Sequence, residues 1–254
     1  MVEIKNDDAL DAMREAGRVV ARCLAAAREH AAVGVSLIEL DKAAHDVIRQ
    51  AGATSPFLNY HPSFAPTPFP AVICASVNDA IVHGIPDDYV LRDGDLVSID
   101  CGATLNGWTG DAATSFIVGT PRPADLLLIE TAEKALAAGI AAAVPGARIG
   151  DISHAIGSVS RSARYGIPSG FGGHGIGREM HEDPAIPNDG RRGAGPRLEE
   201  GMVLAIEPMF TLGSGAVRML KDGWTVATRE GGLAAHWEHS VAVTKKGPRI
   251  LTLA

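Results

Sequence analysis

Basic residues are in the minority. Lys and Arg number 23 against 30 Asp and Glu, a formal net charge of −7. A generic nucleic-acid or membrane-surface binder needs a basic footprint, which this balance does not supply. Cysteine is scarce too. Cys23, Cys74 and Cys101 are scattered, odd in number and form no CxxC pair, which fits a reduced cytoplasm and a fold without disulfides. Long apolar runs are missing: the longest, "ALAAGIAAAV", falls well short of the about 18–20 residues that span a bilayer. The opening "MVEIKNDDAL" lacks a basic stretch followed by an apolar one, so no signal peptide is expected. What is left is ordinary globular composition, 46% hydrophobic and 21% charged over 254 residues. That length suffices for one large domain or two small ones.

Residues 7–31 are rich in Ala, Arg, Glu and Leu with apolar positions at helical spacing, which predicts a helix. A second helix follows, with Ser36 as N-cap, Glu39 completing a capping box and Gly52 as its stop. Residues 53–70 hold five prolines and read as a long loop. Strands are expected at "AVICASVN", "DAIVHGIP", "DLVSIDCGATL" and "GDAATSFIVG", and "LNG" at 105–107 makes the last two a hairpin. The second half repeats the plan: a helix over 123–143 with Pro123 near its start, another over 146–166, then strands at "MVLAIEPMF" and "HWEHSVAVT".

The repetition extends to single residues. "LRDGDLVSID" (91–100) and "LEEGMVLAIE" (198–207) superpose without a gap at an offset of 107. Leu91 meets Leu198, Gly94 meets Gly201, Ile99 meets Ile206 and Asp100 meets Glu207. Gly34, Leu37, Glu39 and Leu40 match Gly146, Ile149, Asp151 and Ile152 at an offset of 112. A period near 110 residues is too long for a solenoid. It predicts one α+β domain, 1–254, made of two halves (roughly 7–120 and 121–250), with pseudo-twofold symmetry and the site between the halves.

Both copies of the repeated strand end on a carboxylate. A lone Asp at a strand end is ordinarily a turn residue, but here four acids flank apolar strands: Asp100 after "VSI", Asp111 in "GDAATSF", Glu207 after "VLAI" and Glu238 before "HSVAV". Holding them there is costly unless something neutralises them, and a pair of divalent cations does so. His174, read as lying in a Gly-rich loop, "GFGGHGIGREMHEDP", adds a nitrogen donor where glycines allow close backbone approach. Oxygen-rich ligands with one imidazole suit Mn, Fe(II), Co or Zn in a dinuclear site better than a thiolate zinc site.

In order and spacing these residues resemble the ligands of the type I methionine aminopeptidases, of the pita-bread, creatinase-like fold. "NDAIVHGIPDD", "DGDLVSIDCGATLNGWTGDAATSFIVG", "GGHGIGREMHEDP", "LEEGMVLAIEPM" and "WEHSVAVT" carry the resemblance over most of residues 70–245, and the first 60 match only in pattern. The resemblance implies a two-metal aminopeptidase that removes the initiator methionine from nascent polypeptides when the second residue is small. It implies Asp100 as ligand of one metal, Asp111 and Glu238 as bridging carboxylates, and His174 and Glu207 as ligands of the other. Glu207 would also carry the proton, and His83 and His181 would bind the peptide carbonyl or its developing oxyanion. Tyr60, Phe69, Cys74 and Trp224 would form the methionine pocket, with Met180 where an aromatic is common and a loop at 61–70 longer than the family's. The spacings His174–Glu207 and Glu207–Glu238 leave no room for the type II insertion. The short, bacterial-style form is implied, cytoplasmic and monomeric.

Other features have plainer readings. His45, His154, His236 and His239 read as solvated or core histidines, and His61 stays open. "HED" at 181–183 is no HExxH helix, since Ala185 fills the second histidine's place. "GFGGHG" matches GxGxxG formally, but Pro168 precedes it and Pro184 follows too soon for a nucleotide-binding turn. Arg191, Arg192 and Arg197 read as a solvated loop, with a ribosomal RNA contact as the functional alternative. Cys101 alternates to the face opposite Asp100 and is not a ligand. The rival functions are an X-Pro aminopeptidase or prolidase, which has the same ligands and usually an extra N-terminal domain, a non-catalytic pita-bread binding module, and a metal-free hydrolase of the creatinase kind. The last two lose ligands that are present here.

Overall fold

The computed structural model describes residues 2–254. The chain opens with helix α1 (Asp7–His30), capped by the Asn6 side chain, which accepts from the Ala9 N–H at 2.9 Å. Asp7 and Asp8 in its first turn and Arg28 and His30 in its last complement the helix dipole. Its buried stripe includes Leu10, Met13, Gly17 and Val20, the 3–4 spacing of one helix face. Helix α2 (Leu37–Gln50) buries Leu37, Leu40, Ala44 and Ile48. At its start the Ser36 N–H and hydroxyl both donate to the Glu39 carboxylate, at 2.8 and 2.9 Å.

The Pro-rich loop leads to β1 (Ile73–Val77), β2 (Ala80–Val82), β3 (Leu96–Leu105) and β4 (Trp108–Ile117). Asn106 and Gly107 both take positive φ, +52° and +75°, and close a two-residue hairpin with Leu105 opposite Trp108. Then come α3 (Pro123–Ala142), α4 (Ile149–Ala163), β5 (Gly172–Gly175), β6 (Glu182–Pro187), β7 (Val203–Ile206), β8 (Met209–Thr211), β9 (Val217–Met219), β10 (Val226–Thr228), β11 (Ala234–His236), β12 (Glu238–Thr244) and β13 (Gly247–Ile250). Among the described residues, one large antiparallel sheet runs β1-β3-β4-β12-β7-β5-β6, with β13 also on β12. β2-β10-β9 and β11-β8 pair separately.

Two cores flank this sheet. The first packs α1 and α2 against Val97, Ile99, Cys101 and Ala112 of β3 and β4. The second packs α3 and α4 against Leu204 and Ile206 of β7 and Val241 and Val243 of β12. Cys101 thus lies in the helix-facing core, as its alternation with Asp100 requires. Fully burying an Ile or Leu at such a position contributes roughly 1.5–3 kcal/mol.

Three sequence expectations need correction. Asp100 and Asp111 stand in mid-strand, within β3 and β4, rather than at strand ends. His174 lies in strand β5 rather than in a loop. The long strands expected at 202–210 and 236–244 are each interrupted, at Glu207–Pro208 and at Trp237. Pro208 has no N–H for a ladder, so the pairing partner changes from β12 to β11 there.

Candidate metal centre and adjoining pocket

Strand register brings the acids together. Asp100 pairs with Ala113, Asp111 with Gly102, and Glu238 with the same Ala113 from the other side. Side chains alternate along a strand, so Asp100, Asp111 and Glu238 project from one face, opposite the α1–α2 core. The Ser240 hydroxyl receives the Asp111 N–H at 2.9 Å and donates back to the Asp111 carbonyl at 2.8 Å, tying β4 to β12 beside the site. His174 enters from β5, opposite Ala205 of β7. The glycines on either side of it are needed. A Cβ on Gly173 would meet the Ala205 carbonyl oxygen at 2.1 Å, and one on Gly175 the Asp183 carbonyl oxygen at 2.0 Å. Glu207 follows β7 at the strand break, and its carbonyl accepts from the Asn188 amide at 2.9 Å.

Two triads of ligand atoms lie within 4.8 Å of one another: Asp111, His174 and Glu238, and Glu207, His236 and Glu238. His174 Nδ1 donates to the Gly175 carbonyl at 2.9 Å, leaving Nε2 with its lone pair 3.6 Å from Glu207 Oε1. Asp100 Oδ1, Asp111 Oδ1 and Glu238 Oε1 are buried with no hydrogen-bond partner. Among the described residues, no Lys or Arg lines the cavity. Burial, then mutual repulsion, pushes the Asp100, Glu207 and Glu238 carboxyls well above the usual carboxylate range, and burial raises Asp111. The imidazoles offer no compensating charge. Burial lowers His83 and His174 to about 4 and His236 to about 3, and also lowers His181. Orphaned acceptors, absent basic side chains and neutral imidazoles together fit divalent cations.

The acids form one end of a cavity of about 650 Å³. Every site residue named from the sequence lines it: Tyr60, Phe69, Cys74, His83, Asp100, Asp111, His174, His181, Glu207, Trp224 and Glu238. Phe57, Phe69, Cys74, Met180 and Trp224 make an apolar cluster in its wall. Phe69 meets Trp224 edge-on at 5.1 Å, and the Trp224 indole N–H donates to the Thr67 carbonyl at 2.9 Å. The Pro-rich loop is held by paired bonds between Tyr60 and Phe69 strands of backbone: Phe69 N–H to the Tyr60 carbonyl, and Asn59 N–H to the Phe69 carbonyl, both 2.8 Å. Tyr60 stands half-exposed at the mouth, its ring 5.7 Å from that of His181. The His181 ring is 4.4 Å from that of His174. His83 takes a left-handed φ of +60°, a conformation rare for a non-Gly residue and concentrated at functional sites. Its ring lies 6.3 Å from Trp224.

The sequence reading passed over His236, which is 1% exposed with its Nε2 3.5 Å from Glu207 Oε2. It precedes Glu238 by two residues, but the break at Trp237 puts the two in different strands, so alternation along one strand gives no signal. Phe57, Phe171 and Met209 were also missed in the lining. His45 and His61 are exposed, His154 and His239 partly buried, and all four lie outside the cavity. Arg191, Arg192 and Arg197 are exposed.

The model of metallopeptidase family M24 matches residues 11–245. Methionine aminopeptidase 1 of Mycobacterium tuberculosis is 55% identical over 96% of this chain and 92% of its own. The crystal structure of the methionine aminopeptidase from Thermotoga maritima superposes with a TM-score of 0.95 at 36% identity, covering 100% of both chains. The prolidase of Pyrococcus furiosus has a TM-score of 0.77 at 23% identity, over 99% of this chain and 65% of its own, and shows the pita-bread fold alone. Sequence, fold and the cluster of acids agree: the chain belongs to metallopeptidase family M24 and, within it, to the methionine aminopeptidases.

Proposed function

We propose that this chain removes the initiator methionine from nascent polypeptides, acting when the second residue is small and using two divalent cations. The observation that carries the reading is the junction of four buried carboxylates and an imidazole with an apolar, aromatic-lined pocket in one cavity. Asp100, Asp111, His174, Glu207 and Glu238 would hold the ions. Cations there supply Lewis acidity toward the scissile carbonyl and make a water acidic enough to attack near neutral pH.

The protein's own groups do the rest. Tyr60, Phe69, Cys74, Met180 and Trp224 receive an unbranched thioether, and Met180 and the rings offer polarizable contacts. Burial keeps the Cys74 thiol protonated, so it acts as a small apolar wall. His83 and His181, neutral at pH 7, donate N–H to the carbonyl oxygen as negative charge grows on it. Glu207 takes the proton from the attacking water and delivers it to the leaving amine. A second residue with a large side chain would have to fit beside the acids. The chain is read as one domain, 1–254, whose halves join at about residue 120, working as a cytoplasmic monomer with at most a transient ribosome contact. No helix among the described residues is long and apolar enough to cross a membrane.

A release assay tests this. Met-Ala, Met-Lys, Leu-Ala and Ala-Pro peptides are presented after chelation and again with Mn, Co, Fe(II) or Zn restored. Metal-dependent cleavage of Met-Ala alone is the expected result, and it ranks the metals. Cleavage of Ala-Pro instead would move the substrate to the prolidase side, and no cleavage with any metal would overturn the reading.

A further inference from the structure

His236 is buried, and its Nε2 has no hydrogen-bond partner. The ring is aimed at the acids, 3.5 Å from Glu207 Oε2 and 3.9 Å from Glu238 Oε2. Glu207 therefore stands between two imidazoles, with Oε1 toward His174 at 3.6 Å and Oε2 toward His236. The two imidazoles differ in where they stand. His174 lines the cavity with the four carboxylates, and His236 does not. His236 approaches Glu207 from outside the cavity lining.

Its backbone is clamped on that side. The Ser115 hydroxyl donates to the His236 carbonyl at 2.8 Å and accepts the His236 N–H at 2.9 Å. The Ser98 hydroxyl pairs with Ser115 at 2.8 Å, extending the clamp across β3 and β4. On its other edge β11 sets His236 opposite Met209, two residues beyond Glu207. The ring is thus held from the first-half hairpin and directed at a second-half carboxylate.

We propose that His236 is a positioning residue: its Nε2–H donates to Glu207 Oε2 from outside the ligand set and fixes the carboxylate so that Oε1 stays beside His174. The inference rests on the reading of Glu207 as ligand and proton carrier. A ligand carboxylate with one free oxygen rotates, and rotation misaims both the metal bond and the proton path. A cation ligand would face the cavity, as the other five donors do. An N–H donor belongs where His236 is.

The test compares H236Q, H236N and H236F. Gln carries an N–H out to about the distance of Nε2, Asn falls short of it, and Phe keeps ring volume without a donor. Each variant is titrated with Co(II) alone, followed by calorimetry and visible absorption, and then assayed on a Met-Ala peptide. H236F and H236N are expected to bind Co(II) about 10-fold more weakly and to lose ~10–100-fold in kcat, with KM changed less than about 3-fold and the Co(II) band shape kept. H236Q is expected to recover most of both losses. Two results would overturn the proposal. One is wild-type kcat and Co(II) affinity in H236F or H236N, which would leave His236 as packing. The other is loss of a Co(II) equivalent with a changed band in H236Q as well, which would make it a ligand. Should H236F fail to fold, the pair H236Q and H236N carries the test alone. An E207Q control separates the premise: if E207Q keeps wild-type Co(II) affinity and kcat, the reading of Glu207 has failed instead.

Discussion

The two halves of this molecule use the same hydrogen bonds at the same offsets. Gly34 N–H donates to the Leu91 carbonyl at 2.8 Å, and Gly146 N–H to the Leu198 carbonyl at 2.9 Å. Leu91 N–H returns to Val35 at 2.8 Å, and Leu198 N–H to Ala147 at 2.7 Å. Ser36 N–H caps onto Glu39 and Arg148 N–H onto Asp151, both at 2.8 Å. Helices α2 and α4 start 112 residues apart, and strands β3 and β7 start 107 apart, the offsets of the sequence repeat. Beyond those strands the halves part. The first half runs an unbroken ten-residue hairpin with short Asp side chains in mid-strand. The second breaks its strands at Pro208 and Trp237 and places Glu at each break. Each half thus reaches one centre by a different local route, Asp from mid-strand and Glu from a break.

The strongest way to break this comparison is to remove one acid from each half. Asp100→Asn and Glu207→Gln are each expected to lower turnover on a Met-Ala peptide by ~10³-fold, about 4 kcal/mol of transition-state stabilisation. A centre built by one half alone would lose activity in only one of the two variants. Steady-state kinetics with added metal, at matched folding by circular dichroism, decides between them.

Core equivalence comes next. Ile99 and Ile206 occupy matching positions, and both are fully buried, in the first and second cores respectively. Truncating either to Ala is expected to cost about 3 kcal/mol, by lost transfer energy and a residual cavity. Denaturant melts would show the halves unequal if one variant lost less than about 1 kcal/mol.

Much of this was legible in sequence, for identifiable reasons. Asp100 and Glu207 could be found because a carboxylate recurring at a fixed offset after an apolar stretch has no ordinary structural use. The capping box at Ser36 and the turn at Asn106–Gly107 are local, and local chemistry decides them. β5 and β6 could not be found this way. "GGHG" and "EDPAIP" have the glycines and prolines of loops, and only their pairing with each other and with β7 makes them strands. His236 was passed over because its role depends on a strand break at Trp237 that no alternation pattern reveals. Sequence alone puts Asp100 and Asp111 at strand ends, because a buried acid inside a ladder is unfavourable until a cation neutralises it.

A smaller asymmetry sharpens the comparison. Gly94 and Gly201 have nearly the same φ, +87° and +88°. A Cβ on Gly94 finds only the Thr120 carbonyl oxygen at 3.8 Å, whereas one on Gly201 meets the Lys5 carbonyl oxygen at 2.5 Å. Of the two turns, the N-terminal segment rests on the second-half one: Lys5 N–H donates to the Gly201 carbonyl at 2.8 Å, and Lys5 Nζ is buried 2.9 Å from Glu182, next to His181. Gly94→Ala is expected to cost only its backbone strain, about 1 kcal/mol. Gly201→Ala adds a backbone collision and should cost about 3 kcal/mol. Equal losses in thermal melts would mean that the N-terminal segment moves aside freely.

A pH effect is expected as well, in the protein stripped of metal. Asp100, Asp111, Glu207 and Glu238 have carboxyl pKa values raised by burial, Asp111 to about 7. Their native forms hold protons that the unfolded chain has released, so stability from them is full below about pH 4 and is lost as pH rises through the raised values. The buried histidines act in the opposite sense. His83, His174 and His236, lowered to between about 3 and 4, add stability as pH rises toward 6.5 and nothing further above it. Between about 4 and 6.5 the two sets oppose each other. Above 6.5 only the carboxylates still titrate, so the metal-free protein should lose about 1.4 kcal/mol per pH unit for each proton still held. Bound cations replace those protons, and the metal-loaded protein should show no such loss. Melting temperatures at pH 6.5, 7.25 and 8, with chelator and with Mn, test both slopes. A metal-free protein that gained stability over that range would mean its acids are already ionised, and the cavity would then have to hold four charges with no counter-ion.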